Sequence, residues 1–242
     1  MVDNKIALIT GANKGIGFEI ARQVGLLGYT VLVGARDGAR GAQAASELCA
    51  HQIDATAVAL DVTNGTTITA AAKEIDGRYG RLDVLVNNAG ISGGAATTPS
   101  EVPVGLMREV YETNVFGVVA VTNGMLPLLL RTPAARIVNM SSGLGSLSLS
   151  SDPESDFGGL NYLAYQSSKA ALNAVTIAYA KEFRDTAVKV NAADPGFTAT
   201  DFNNHRGHRS VEQAAVVAVR LACLDDGGPT GTFQDEDGIV PW

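Results

Sequence analysis

The sequence predicts an α/β protein with a doubly wound parallel sheet of about seven strands and helices on both faces. Short runs of valine, isoleucine, leucine and alanine recur along the chain, and longer segments with apolar residues at helical spacing separate them. Strands that are apolar throughout are typical of a parallel sheet that is covered on both faces and joined by right-handed crossovers. No linker and no internal repeat divides the chain, so we predict a single domain over residues 1–242.

The predicted strands and helices follow one another in an order that suits such crossovers. The strands are residues 5–10, 30–35, 55–60, 82–87, 136–141, 188–194 and 230–233. Helical periodicity is seen, for example, in residues 15–28, 47–52, 67–76 and 169–183. Serine, aspartate, asparagine, glycine and proline dominate residues 146–161 and 196–210, which are therefore predicted to be loops.

Composition excludes several classes of partner. Hydrophobic residues make up 46% of the chain and charged residues 18%, which indicates a globular protein. The net charge of -7 disfavours nucleic acid and anionic membranes, although a small anionic cofactor needs only a local positive site. Two distant cysteines exclude a disulfide framework and make a metal site improbable. Because no targeting segment and no unbroken membrane span is visible, we expect a cytoplasmic protein.

A glycine-rich loop follows the first predicted strand. In "IALITGANKGIGFEIA", Gly11, Gly15 and Gly17 lie between that strand and the first helix. Glycines allow a tight turn and close backbone approach, and the helix N-terminus offers free N–H groups to a pyrophosphate. Glycines alone would indicate only a turn, but the flanking strand, the amphipathic helix and the next strand supply the confirming context. The loop therefore predicts a dinucleotide site.

The end of the second strand indicates which dinucleotide binds. An acidic residue there would hold the ribose 2'-hydroxyl of NAD, whereas an arginine would neutralise a 2'-phosphate. Ala35 occupies the acidic position and Arg36 follows it, while Lys14 adds a second positive charge nearby. We interpret Asp37 as the N-cap of the next helix. The sequence therefore favours NADP(H), with a solvated surface charge as the alternative interpretation of Arg36.

A tyrosine and a lysine stand four residues apart in a predicted helix. Tyr165 and Lys169 share one helical face, whereas Tyr162 has Gln166 at the corresponding position. A neighbouring ammonium and an oxidised nicotinamide ring both favour a phenolate, so the pKa of Tyr165 is predicted to fall toward neutrality. The pair alone would also fit an ordinary helix surface.

Six motifs in a fixed order give this pair its meaning. They are "TGANKGIG" at 10–17, "NNAG" at 87–90, "TNVFG" at 113–117, "VNMSSGLG" at 138–145, "YQSSK" at 165–169 and "DPGFTATD" at 194–201. Together they resemble the classical short-chain dehydrogenase/reductase family over essentially the whole chain. The resemblance implies a Rossmann-type fold and a nicotinamide-dependent oxidoreductase.

The resemblance also implies roles for the catalytic residues. Tyr165 would act as the general acid that protonates a carbonyl oxygen, and Lys169 would bind the nicotinamide ribose and lower the pKa of the phenol. Ser142 would hydrogen-bond the substrate oxygen. Ser141 is the weaker candidate, since its side chain should point to the other side of the strand end. Asn114 would orient a water that connects Lys169 to solvent.

Most of the cofactor residues implied by the resemblance lie in four motifs, "TGANKGIG", "NNAG", "YQSSK" and "DPGFTATD". Asp61 and Val62 lie outside the motifs, after the third predicted strand. Asp61 would contact the adenine, the "NNAG" segment the adenosine ribose, and the turn at Pro195 the nicotinamide amide. The complete predicted set is Gly11, Asn13, Lys14, Gly15, Ile16, Gly17, Arg36, Asp61, Val62, Asn88, Ala89, Gly90, Tyr165, Lys169, Pro195, Gly196 and Thr198. No metal ligand is predicted.

One departure points to a subgroup. Ser142 and Tyr165 are farther apart than in the simplest family members, and the extra residues fall within 146–161. Monomeric carbonyl reductases carry a comparable insertion, so we expect NADPH-dependent reduction of a small-molecule aldehyde or ketone. The insertion would either cover a helix face used for association, favouring a monomer over a homo-oligomer, or border the substrate entrance.

Three alternatives stay open. The same site would serve an alcohol dehydrogenase working in reverse, or a reductase of ketoacyl thioesters, since specificity resides in loops. A non-catalytic NADP(H)-binding sensor belongs to a different class, and such a protein would not need the tyrosine, lysine and serine together.

Overall fold

Seven parallel β-strands form one sheet within residues 4–242, the part of the chain that the computed structural model describes. The strands are β1 (Ile6–Thr10), β2 (Thr30–Ala35), β3 (Ala55–Ala59), β4 (Val84–Asn87), β5 (Arg136–Met140), β6 (Lys189–Ala193) and β7 (Phe233–Gln234). Their order in the sheet is β3-β2-β1-β4-β5-β6-β7. The predicted fold class is confirmed. The last strand is shorter and later than predicted, because it pairs with β6 over two residues only.

In the described part of the chain, eight α-helices connect or flank the strands. They are α1 (Gly15–Leu26), α2 (Gly38–Ala50), α3 (Gly65–Tyr79), α4 (Val104–Tyr111), α5 (Gly117–Leu129), α6 (Leu147–Ser151), α7 (Leu163–Glu182) and α8 (Val211–Ala222). A π-helical turn, Glu112–Phe116, joins α4 to α5. Short 3-10 helices lie at Pro99–Glu101, Gly143–Gly145 and Asp201–Asn203. The two predicted loops are therefore wrong in part, since they contain α6 and the last 3-10 helix.

Alternate side chains of the strands face two different helical layers. In β1, Ala7 and Ile9 pack with α1, α2 and α8, whereas Ile6 and Leu8 pack with α3, α5 and α7. All of these side chains are at least nine-tenths buried. Coverage of both faces explains why the strands read as continuous apolar runs.

The carboxyl ends of the strands meet at one edge of the sheet. Chain order reverses between β1 and β4, so the loops after these strands diverge and leave a crevice, which is where ligands bind in sheets of this kind. The glycine loop, Ser142 and the turn at Pro195 all follow strands at this edge. No helix in residues 4–242 is both long enough and apolar enough to span a bilayer.

Candidate active site

The glycine loop forms a cradle that side chains would obstruct. Gly11 and Gly15 have φ values of +65° and +59°, in the left-handed region that favours glycine. A Cβ at Gly17 would lie 2.4 Å from Nδ2 of Asn88 and 2.7 Å from the Gly11 carbonyl oxygen. Asn88 fastens the loop to β4, since its Nδ2 donates to the Thr10 carbonyl at 2.9 Å. The cradle at the start of α1 thus suits the pyrophosphate of a dinucleotide.

Two positive side chains flank this cradle, and only one of them forms an ion pair. Nζ of Lys14 lies 2.7 Å from Oδ2 of Asp201, across the mouth of the crevice. Arg36 is exposed and makes no hydrogen bond or ion pair with any other residue of the described range. The N-cap interpretation of Asp37 is confirmed, because its Oδ1 accepts hydrogen bonds from the backbone N–H groups of Ala39 and Arg40. Arg36 is therefore the available cation at the carboxyl end of β2.

The remaining predicted cofactor residues lie along the same edge. Oδ1 of Asp61 accepts from the backbone N–H and the hydroxyl of Thr63, at 3.0 and 2.8 Å, which shapes the turn into α3. Val62 packs against Gly117, since a Cβ atom added at Gly117 would lie 3.0 Å from Cγ2 of Val62. The Ala89 N–H donates to the Thr10 hydroxyl at 3.0 Å. These contacts fix the loops after β3 and β4 around the crevice.

Tyr165 and Lys169 lie in the first two turns of α7, on the same face. Nζ of Lys169 is 5.5 Å from the centroid of the Tyr165 ring and donates to the Met140 carbonyl at 2.6 Å. Lys169 is only 5% exposed. Burial lowers the pKa of Lys169 to about 8, and the negative charge of Asp194 opposes that shift. The ammonium is thus held at the end of β5, beside the phenol.

The pKa of Tyr165 moves in the direction opposite to the prediction. Loss of solvation raises it above the ordinary value, the charge of Asp194 raises it further, and hydrogen bonding with the Ser142 side chain acts the other way. The expected fall toward neutrality is wrong for the protein as described, because burial of the phenol and the charge of Asp194 raise the pKa more than the hydrogen bond with Ser142 lowers it. The phenol is therefore protonated at neutral pH, as a proton donor must be.

The two serines after β5 point to different places. Ser141 is buried and its Oγ donates to Oδ1 of Asn173 at 2.6 Å, within the protein. Ser142 is partly exposed and caps the 3-10 helix Gly143–Gly145, with its Oγ accepting from the Leu144 N–H at 3.3 Å. Ser142 is thus the hydroxyl beside the Tyr165 phenol.

Asn114 lies in the π-helical turn and joins three segments. Its Oδ1 accepts from the Ile91 N–H at 2.9 Å, and its Nδ2 donates to the Ile91 carbonyl at 2.9 Å and to the Ser168 hydroxyl at 3.0 Å. Gly90 lies so close that a Cβ there would be 3.2 Å from Oδ1. Asn114 therefore fixes the loop after β4 against α7.

Comparison with known proteins decides the family. A model of the family described as short chain dehydrogenase matches residues 5–210. The chain belongs to the short-chain dehydrogenase family. Among its relatives, a short-chain dehydrogenase of Penicillium roqueforti is 36% identical, covering 99% of this chain and 97% of the relative. Carbonyl reductase [NADPH] 1 of Rattus norvegicus is 32% identical, covering 99% of each chain.

A solved structure agrees with this assignment. NADPH-bound carbonyl reductase from chicken fatty liver superposes with a TM-score of 0.85 at 28% sequence identity, covering 99% of each chain. The protein is therefore an oxidoreductase of the short-chain dehydrogenase family, whose members use a nicotinamide cofactor. The family resemblance drawn from the six motifs is confirmed.

This short-chain dehydrogenase also places aromatic side chains at the site that the sequence analysis missed. The ring of Phe202 meets the Tyr165 ring edge to face at a centroid distance of 5.6 Å and is 43% exposed. Phe157 packs against Gly143, where a Cβ would lie 2.6 Å from its Cζ. Both residues lie in stretches predicted only as loops, and an aromatic residue within a polar loop was the available signal.

The insertion lies beside the segment that follows Ser142. Phe157 touches the 3-10 helix that follows Ser142, and the N–H of Ser148 donates to the Trp242 carbonyl at 3.1 Å. These contacts place residues 146–161 between Ser142 and the C-terminal tail.

The turn after β6 lies at the same edge of the sheet and is held by its own contacts. Gly196 has a φ of +69°, and a Cβ there would lie 2.7 Å from Cδ of Arg209. The Thr198 hydroxyl donates to the Pro195 carbonyl at 3.2 Å, and Thr198 forms an isolated parallel bridge with Arg209. The segment 196–210 is therefore fastened at both ends while Phe202 extends over Tyr165. Residues 4–242 bring together no group of three potential metal-ligating side chains.

Proposed function

We propose that the protein reduces an aldehyde or ketone to an alcohol with NADPH, and that Tyr165 is the proton donor. The observation that carries this proposal is the convergence of the Tyr165 phenol, the Lys169 ammonium and the Ser142 hydroxyl beside the glycine cradle. A protein that only senses a dinucleotide would need the cradle but not these three groups.

The chemistry follows from the state of each group. When bound, the reduced nicotinamide supplies the hydride. Negative charge then develops on the carbonyl oxygen, and the protonated Tyr165 phenol and the Ser142 hydroxyl can donate hydrogen bonds to it. Tyr165 transfers its proton, and the nearby Lys169 ammonium stabilises the phenolate that remains. Lys169 is fixed for this role by the Met140 carbonyl.

NADPH is the proposed cofactor because of the charge at the end of β2. Arg36 is exposed where the adenosine ribose of a bound dinucleotide would lie, and Lys14 is in the adjacent loop. The rat relative is named as an NADPH carbonyl reductase, and the chicken carbonyl reductase structure contains bound NADPH. These findings favour NADPH over NADH.

An apolar ketone fits the entrance better than a charged substrate. Phe202 and Phe157 border Tyr165 and Ser142, and aromatic faces favour apolar or aromatic ligands. Cyclic and aryl ketones are therefore the proposed substrates. We also continue to expect the protein to be cytoplasmic and monomeric.

A carbonyl panel tests the proposal. Purified protein with NADPH should reduce at least one of a set of aldehydes, α-dicarbonyls, quinones and cyclic ketones, followed by loss of NADPH absorbance. Tyr165→Phe should lower kcat by roughly 10²- to 10⁴-fold and change the Kd for NADPH far less, because the positioned acid is lost while the rest of the cofactor site remains. Tyr162→Phe, three residues earlier in the chain, is the matched control and should retain activity. Tight NADPH binding without turnover of any compound would favour the sensor instead.

A further inference from the structure

Asp201 joins the glycine loop to the segment that borders Tyr165. Its Oδ2 lies 2.7 Å from Nζ of Lys14, although the two residues are 187 positions apart in the chain. Its Oδ1 lies 2.9 Å from Nε2 of His205. Asp201 ends the motif "DPGFTATD", and neither the motif nor the family resemblance gave it a role. One carboxylate therefore contacts a cation of the glycine loop with one oxygen and its own segment with the other.

The turn that follows Asp201 has an unusual backbone conformation. Asn204 and His205 have φ values of +55° and +57°, in the left-handed region that residues other than glycine seldom adopt. Such a conformation persists where surrounding contacts hold it, and the contact of His205 with Asp201 is one of these. Phe202 belongs to the same turn and meets the Tyr165 ring at a centroid distance of 5.6 Å. A change in the contacts of Asp201 is therefore expected to reach Phe202.

The contact between Lys14 and Asp201 lies where an anionic ligand can reach it. Both residues line a cavity of about 300 Å³ beside the glycine loop, together with Asn13 and with Glu47 of α2. Both side chains of the pair are more than half exposed. The lysine ammonium is a compact charge on a flexible stem, so it can turn from one anion to another. A phosphate that binds this ammonium must therefore compete with the Asp201 carboxylate.

We propose that Asp201 is a specificity-determining residue of the proposed NADPH site: it competes with the 2'-phosphate for Lys14, and its displacement by the phosphate releases the turn that carries Phe202 from the glycine loop. The inference rests on the proposed function for the identity of the phosphate. Coupling of this kind is reciprocal, so the factor by which the pair stabilises the turn is the factor by which it weakens phosphate binding. Because the pair is exposed, that factor is roughly 2- to 5-fold.

Binding of two nucleotides to the full chain tests the competition. Adenosine 2',5'-bisphosphate carries the 2'-phosphate and 5'-AMP lacks it, and isothermal titration calorimetry at low ionic strength gives both Kd values. Asp201→Asn keeps the shape and removes the charge. It should lower the Kd for the bisphosphate by roughly 2- to 5-fold and change the Kd for 5'-AMP far less. Glu47→Gln is the matched control, because it removes a charge from the same cavity. An equal gain in Glu47→Gln would show a general effect of charge and would overturn the inference.

A double-mutant cycle separates competition for Lys14 from repulsion of the phosphate. Lys14→Met removes the ammonium for which the two anions compete. Adding Asp201→Asn to Lys14→Met should therefore leave the Kd for the bisphosphate unchanged. If Asp201→Asn lowers this Kd equally with and without Lys14, the carboxylate acts by repulsion alone and the inference is wrong.

Trypsin provides a readout of the turn itself. Arg206 is exposed and directly follows His205, and its Nε donates to the Asn203 carbonyl at 3.0 Å, so cleavage after Arg206 reports opening of the turn. The bisphosphate should speed this cleavage in the wild type by roughly 2- to 5-fold, and 5'-AMP should not. Asp201→Asn should be cleaved faster without a nucleotide and gain nothing more from the bisphosphate. Mass spectrometry identifies the cut, and a rate that the bisphosphate leaves unchanged or lowers in the wild type contradicts release of the turn.

The outcomes distinguish this inference from the proposed function. If the wild type binds the bisphosphate no more tightly than 5'-AMP, the preference for NADPH is rejected and the inference fails with it. If the wild type prefers the bisphosphate but Asp201→Asn binds it equally or more weakly, Asp201 does not compete for Lys14. The inference is then overturned, while the proposed NADPH-dependent reduction is unaffected.

Discussion

The positive side chains near the glycine loop differ in what holds them. Lys14 is paired with Asp201, but both side chains are more than half exposed, so solvent screens the pair, it contributes little to stability and it can give way to a phosphate. Within residues 4–242, the Arg36 side chain has no hydrogen bond or ion pair that would have to break before it binds a phosphate. A guanidinium can form two parallel hydrogen bonds to a phosphate. Arg36 should therefore determine the preference between NADPH and NADH.

Replacement of Arg36 tests this preference. Arg36→Ala should weaken NADPH binding by roughly 10- to 100-fold, the value of a charge-assisted bond, and leave NADH binding unchanged. Isothermal titration calorimetry with both cofactors measures the effect. Arg40→Ala is the control, because Arg40 is also exposed but pairs with Asp37 at 3.4 Å. Equal losses for both cofactors would contradict the role of Arg36.

The segment 196–210 is the element that shapes access to Tyr165. A capping box at Thr200 and Asn203 starts its 3-10 helix, and Nδ2 of Asn203 donates to the Thr198 carbonyl at 2.8 Å. These bonds hold Phe202 over the ring of Tyr165, whereas Phe197 lies against His208 at a centroid distance of 6.1 Å. Two exposed phenylalanines of one segment thus have different environments.

This difference makes a matched pair of variants. Phe202→Ala should raise KM for an apolar cyclic ketone by roughly 10-fold, because it removes part of an apolar contact surface, and should affect a small aldehyde much less. Phe197→Ala should leave KM for the same ketone unchanged. Steady-state kinetics with saturating NADPH provide the measurement. If both variants raise KM equally, the effect comes from disturbance of the segment and not from contact with Phe202.

Elements were predictable where the local pattern agreed with the final packing. β1 and α1 carry strong patterns and lie close to their predicted bounds, whereas α7 begins at Leu163, before the predicted segment 169–183. α8 was missed, although a signal for its start was available. A serine followed three residues later by a glutamine indicates a capping box, and Ser210 and Gln213 form one. α5 was missed because it follows a π-helical turn and contains Pro127, and both features disturb helical periodicity.

At the scale of the whole molecule, the sheet brings together residues that are distant in the chain. Ser142 could be placed at this edge because it follows a predicted strand of a parallel sheet, and the family resemblance implied that Tyr165 and Lys169 lie beside it. The proton affinities of Tyr165 and Lys169 could not be predicted, since burial depends on every layer of the fold. Burial reversed the predicted direction for Tyr165, and it lowered the pKa of Lys169 to about 8.

The buried ammonium should cost the whole molecule stability. Burial moves the pKa of Lys169 from 10.5 to about 8, so the folded protein holds the charge unfavourably at pH 7. Lys169→Met should therefore raise the free energy of unfolding at pH 7 by about 1 to 2 kcal/mol, after allowing for the bond lost at the Met140 carbonyl.

The pH dependence gives this prediction its sign. Between about pH 8 and pH 10.5, the unfolded chain binds more protons at Lys169 than the folded chain does. The free energy of unfolding of the wild type therefore rises with pH over this interval. The advantage of Lys169→Met should narrow over that interval. Urea unfolding at a series of pH values measures it, and Lys181→Met, at an exposed site on the same helix, should show no such trend. A variant less stable than wild type at pH 7 would contradict the cost assigned to burial.

Transfer of a labelled hydride tests the central claim most directly. The protein is given a cyclic ketone and NADPH deuterated at both C4 positions, and the alcohol is analysed by mass spectrometry. The account predicts one deuterium on the carbinol carbon with the wild type and little or no alcohol with Tyr165→Phe. Unlabelled alcohol, or equal amounts of labelled alcohol from both proteins, would contradict it.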